Sequence, residues 1–172
     1  MPLWTIYHPP TVFTDTATKQ ALAHAITQIY TAIAIPAFYV NVLFQPIEAT
    51  SFFVGGVSRP SSAQAQASSH EPGAGPDSTR PFIRITIQNI ARKITNNVVR
   101  DGFLGRVDAA LRPFIADKGF DWEYSVLETS RDLWKIQGLV PPFPDSVAER
   151  EWTRANRATE FEAEDDGRGG GP

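Results

Sequence analysis

An apolar strand–helix–strand pattern opens this chain and then returns in its middle, and that repetition limits the fold more than any other feature. Residues 2–8 alternate apolar and polar as a strand does, and Pro9-Pro10 stops them. Thr14 or Asp15 can cap a helix. Ala21, Leu22, Ala25, Ile26, Ile29 and Ile33 then recur at helical spacing across about 14–33. Beyond Pro36, residues 37–45 are β-branched and aromatic, which predicts a strand. The short run Phe52-Phe53-Val54 leads into Gly55-Gly56, a bulge or turn. The second copy begins with an alternating strand from Phe82 to Gln88. A helix is predicted over 93–116, with Ile94, Val98, Val107, Leu111, Phe114 and Ile115 toward the core; Gly102 and Gly105 weaken its middle. Asp121 to Glu128 reads as the fourth strand.

Two consecutive β-α-β units imply an α+β fold: a four-stranded sheet with two helices on one face, plus a C-terminal extension. Strands are expected to be parallel inside each unit and joined by right-handed crossovers. One domain over residues 2–155 accommodates this: a first unit at about 2–57, a second at 82–128 and a C-terminal segment at 129–158. Residues 58–81 are rich in Ser, Pro, Ala and Gly and read as a flexible insertion. Residues 159–172 read as a disordered acidic and glycine-rich tail. The strands look apolar on both faces, so the uncovered face calls for self-association. In the C-terminal segment, Leu133, Trp134, Ile136, Leu139 and Val140 need a surface to bury against. Ser146 can cap a short helix to about residue 157 with Trp152 on its apolar side.

Composition excludes several functions. A net charge of −3 gives no basic excess for nucleic acid. No apolar run nears the ~20 residues of a membrane span, and no secretory signal is visible. With no cysteine, thiolate catalysis, disulfides and Cys-zinc sites are excluded. The scattered His8, His24 and His70 do not suggest a metal cluster. A cytoplasmic protein without metal is the expectation.

The chemistry resides at the start. Pro2 follows Met1, and a small second residue lets the initiator be removed. The chain would then begin with a secondary amine at the head of a strand. Burial beside cations lowers the pKa of an amine toward neutrality, which suits a general base or acid. The plain alternative is a proline that merely begins a strand.

With Pro2-Leu3-Trp4, Ala25-Ile26-Thr27, Phe53-Val54-Gly55-Gly56-Val57 and Trp122-Glu123-Tyr124 in this order, the chain resembles the tautomerase superfamily. More closely, it is similar to the cis-3-chloroacrylic acid dehalogenase-like group. Asp132-Leu133-Trp134-Lys135-Ile136 and Pro141-Pro142 look like that group's fungal branch. The resemblance spans about residues 2–155. It implies a trimer, no metal or organic cofactor, and an isomerase that moves a proton between oxygen and carbon of a small enol or 2-keto carboxylate.

The resemblance also assigns roles. Pro2 matches the proton carrier, and Tyr124 matches a tyrosine that aligns water in the dehalogenases. Arg92 falls near the second of two substrate-binding arginines, while Gln88 or Asn89 takes the place of the first. Tyr30 stands where a histidine binds substrate, and Lys135 and Ile136 stand around the place of a glutamate. Without that carboxylate, water activation for dehalogenation has no agent. Keto–enol tautomerisation needs only the amine and a carboxylate anchor, for which Arg84, Arg92 and Lys135 are candidates. The structural alternatives are an outward strand charge for Arg84, a helix start for Arg92, a stem packed on Trp134 for Lys135, and core positions for Tyr30 and Tyr124. The rival functions are a catalytically weak or inactive oligomeric ligand-binding protein, and a hydratase, decarboxylase or dehalogenase of small unsaturated acids.

Overall fold

The computed structural model describes residues 2–62, 78–90 and 92–161. Among the described residues the strands and α-helices follow in the order β1 (Leu3–His8), α1 (Thr16–Thr31), β2 (Asn41–Pro46), β3 (Phe53–Val54), β4 (Val57–Ser58), β5 (Phe82–Asn89), α2 (Asn97–Leu111), β6 (Asp121–Glu128) and α3 (Val147–Ala155). The main sheet has the order β2-β1-β5-β6. β1 and β2 are parallel, as are β5 and β6, and the two units join antiparallel through β1 and β5.

Strand alternation sorts the two faces. Trp4 pairs with Ile87 and Ile6 with Ile85, and all four are fully buried under the helices. Leu22, Ile26 and Ile29 of α1, and Phe103, Val107 and Leu111 of α2, complete this core. Each such aliphatic side chain contributes roughly 1.5–3 kcal/mol by its burial. α2 runs unbroken through Gly102 and Gly105, both on its exposed side.

The opposite face is less apolar than expected. Thr5, Thr86 and Ser125 run across β1, β5 and β6, beside Arg84 and Glu123 and two exposed leucines, Leu43 and Leu127. Val42 and Leu43 do face opposite ways, but the alternation does not extend to residues 37–39. Those form a 3-10 turn, with Val40 N–H donating to Ala37 O at 3.0 Å. That turn buries the Tyr39 ring, which a straight strand would not.

Helix limits also differ from the sequence reading, and hydrogen bonds explain why. Asp15 rather than Thr14 caps α1, accepting from Thr18 N–H at 2.7 Å. α2 begins at Asn97 instead of residue 93, because Asn96 caps it and Ile94 N–H is already given to Glu128. It ends before Pro113, whose ring disfavours helix at the preceding residue. Val98 is thereby left 82% exposed, and Ile33, beyond the end of α1, is also exposed. Gly55 and Gly56 both take positive φ, which makes the tight β3–β4 hairpin possible.

The ends of the predicted insertion belong to the fold. Arg59 is buried and paired with Asp121 at 3.0 Å. Ser61 N–H donates to Ser78 O at 2.9 Å, and the two hydroxyls lie 2.6 Å apart. The rest of the insertion, His70 included, lies outside the described residues, as do residues 162–172 of the predicted tail. In the C-terminal segment Trp134, Pro141 and Pro142 are buried, but Leu133 is 82% exposed and Val140 is partly so. α3 forms as expected, with Ser146 at its N-cap and Trp152 fully buried.

His8 closes β1 inside an aromatic cage, edge-on to Phe13 at 5.3 Å and to Phe44 at 6.2 Å. Its Nδ1 donates to Pro9 O at 2.8 Å. That fixes the neutral tautomer and, among the described residues, leaves the buried Nε2 with no acceptor for a second proton. Burial therefore pulls the pKa below its ordinary 6.5. The neutral form is favoured in the fold, so this contribution is complete above the unfolded pKa and is lost as pH falls below it, through the lowered folded value. Urea midpoints of the wild type should drop between pH 7.5 and 5 more steeply than those of His8→Phe. Parallel profiles would remove His8 as the cause.

Candidate active site

Pro2 is buried at the head of β1, a central strand. Its carbonyl accepts Asn41 N–H at 2.9 Å. Alternation places it on the helix-covered face with Trp4, and one step beyond the Leu3–Gln88 pair brings it beside Asn89. Trp4 Nε1 donates to Tyr30 Oη at 2.9 Å. Burial raises the Tyr30 pKa above the usual phenol range, so it keeps its own proton.

Tyr30, Asn89 and Arg92, three residues named from the sequence, line one cavity at this end of the sheet. Its wall includes Ile29, Ile35 and Phe103, and Lys93 and Arg106 join Arg92 as its cations. Asn89 Nδ2 donates to Arg92 O at 2.8 Å, which fixes the turn leaving β5. An apolar pocket with a cationic edge suits a small carboxylate.

The C-terminal segment adds a group that the sequence reading missed. Arg92 makes a two-pronged pair with Glu149 of α3, at 3.0 and 2.9 Å. Glu149 Oε2 also accepts Asp145 N–H at 2.8 Å, and its side chain is 4% exposed. Ser146-x-x-Glu149 has capping-box spacing, a signal that predicts only a local role. The glutamate instead reaches Arg92, 57 residues away in sequence. Its oxygens are committed to these donors, so it does not replace the missing water-activating carboxylate.

Tyr39, also missed, packs edge-on against Trp134 at 4.8 Å. Among the described residues its hydroxyl and Trp134 Nε1 are buried without a hydrogen-bond partner. Burial is the main cause that lifts the Tyr39 pKa, with the Glu149 charge adding to it and Arg131 and Arg92 opposing. Asn41, bonded to Pro2 through its N–H, also donates its side-chain amide to Tyr39 O at 3.2 Å.

Three predicted residues lie elsewhere in the chain. Tyr124 faces the helices opposite Ile85 and donates to Asp108 at 3.0 Å. Burial, then Asp108, pushes its pKa up to about 12. Arg84 lies on the open sheet face, 2.7 Å from Ser125 Oγ and 3.6 Å from Glu123. Lys135 is exposed. Alternation in β5 and β6 turns Arg84 away from Pro2, and the register sets Tyr124 well along the sheet from it. Among the described residues no three His, Asp or Glu side chains gather as metal ligands would. No helix among them is long and apolar enough to cross a membrane.

Residues 1–157 match the profile of a family described as "Putative oxalocrotonate tautomerase enzyme". A probable enzyme from the thermophilic fungus Aspergillus fumigatus is 40% identical, with a TM-score of 0.77 over 94% of this chain and 98% of its own. Native RhCC from Rhodococcus jostii RHA1 is 34% identical, with a TM-score of 0.78 over 92% and 99%. At the level of fold alone, two further structures are similar. N1, of the cis-3-chloroacrylic acid dehalogenase family, has a TM-score of 0.57 at 15% identity over 87% and 89%. A fused 4-OT solved as an asymmetric trimer has 0.54 at 18% over 80% and 94%. No curated protein sequence matches.

Proposed function

The chain belongs to the tautomerase superfamily, and from that premise we propose that it is a cofactor-independent keto–enol tautomerase whose proton carrier is the amine of Pro2. The observation that carries this reading is that Pro2 heads β1 beside Asn89, which with Tyr30 lines a cavity edged by Arg92, Lys93 and Arg106. Once Met1 is removed, the neutral amine takes the hydroxyl proton of a small enol carboxylate. The resulting ammonium returns a proton to the neighbouring carbon, giving the 2-keto acid and regenerating the amine. Because Glu149 holds both terminal nitrogens of Arg92, the substrate carboxylate falls largely to Lys93 and Arg106.

The proposal includes a cytoplasmic homotrimer. The open sheet face, with Leu43 and Leu127 exposed, is the surface such an assembly would cover. Arg84, on that open face, would join a Pro2 site only across that assembly. The closed Arg92–Glu149 pair favours the second reading, a ligand-binding protein without turnover, because it removes one cation from substrate.

Iodoacetate tests the amine. The chain has no cysteine and its one methionine is the initiator, so the usual sulfur targets are absent after processing. At pH 7 a single carboxymethyl group is expected on the peptide beginning at Pro2, with parallel loss of tautomerase activity. A retained Met1, or labelling confined to histidine and lysine peptides, would overturn the reading.

A further inference from the structure

A second cavity is built by residues of the C-terminal segment together with Phe161 and shares no lining residue with the one beside Asn89. Val140, Pro142, Phe143, Ala148 and Phe161 supply apolar walls, and Arg131 supplies the cation. The Arg131 guanidinium sits 4.2 Å over the Phe143 ring and donates to Pro141 O, so it is held at the wall. The cavity measures about 120 Å³, near the ~150 Å³ of an apolar cavity that accepts benzene.

We propose that this cavity is a separate ligand site for an aryl carboxylate, with the ring between Phe143 and Phe161 and the carboxylate at Arg131. Size sets the ring, and the cation sets the charge of the head group. Ala148 and Ser146 line the cavity one and three residues from Glu149 in the same turn of chain.

The test reads binding alone, so it stands apart from whether Pro2 turns over any substrate. 3-Phenylpropionate, which cannot tautomerise, is titrated into the full-length protein by calorimetry. One site per chain is expected, with at least tenfold weaker binding of neutral 3-phenylpropanamide and no heat from acetate. Arg131→Gln should weaken 3-phenylpropionate at least tenfold. Val140→Glu, a change at a partly exposed position that leaves the core alone, should do the same by charge. Arg106→Glu, at the other cavity, should change the affinity less than twofold. No binding, equal binding of the amide, or loss through Arg106→Glu with Val140→Glu harmless would each overturn the assignment.

Discussion

Glu149→Ala is expected to destabilise the protein by about 3 kcal/mol, at the low end of the 3–5 kcal/mol for breaking a buried ion pair, since Arg92 is partly exposed. The substitution strands three donors: two from Arg92 and the backbone N–H of Asp145. Asp145 can recover little, because it is 3.7 Å from Arg92 and mostly in water. For a chain of this size the melting temperature should fall by roughly 6–12 °C. The double change Arg92→Met with Glu149→Leu should recover at least half of that loss, since apolar replacement of both partners removes the stranded charge. Urea unfolding of both singles and the double gives the coupling energy. A loss under 1 kcal/mol in Glu149→Ala would mean that the pair does not fasten α3 to the turn after β5.

The same pair shows where sequence reading stops. Arg92 was named from the sequence because the resemblance placed it near the second of two arginines, with a helix start as the plain alternative. Its partner was not legible. Ser146-x-x-Glu149 is fully explained by local capping, and nothing in the linear pattern says that the carboxylate crosses to another element. Tyr39 was hidden for a related reason. Its surroundings are β-branched and aromatic, so strand propensity wins on paper, whereas burying the ring against Trp134 and Trp152 wins in the fold.

The repeat itself was legible because periodicity is strong where one face is buried. Trp4 and Ile6, and Ile83, Ile85 and Ile87, alternate cleanly, and all five have no exposed surface. Helix ends were misjudged where a side chain or carbonyl elsewhere claimed an N–H, as Glu128 does for Ile94. The site residues divided by strand parity. Asn89 shares its face with Pro2, whereas Arg84, on the opposite parity, looks to the open side of the sheet. Tyr124 has Pro2's face but a partner, Asp108, that belongs to the helix layer.

Pro2→Ala bears most directly on the central claim and has the largest expected effect on rate. Alanine still permits removal of Met1 but leaves a primary amine, less constrained at the head of β1. General acid–base groups contribute typically about 10²–10⁴-fold, so kcat/KM should fall by at least ~10²-fold while the urea midpoint stays within error. The measurement follows the ultraviolet decay of enol phenylpyruvate with wild type and Pro2→Ala, after intact mass has shown that both lack Met1. Rapid decay with wild type and a hundredfold slower decay with the variant is the predicted result. Equal rates in the two proteins, or no turnover by either, would contradict Pro2 as the proton carrier.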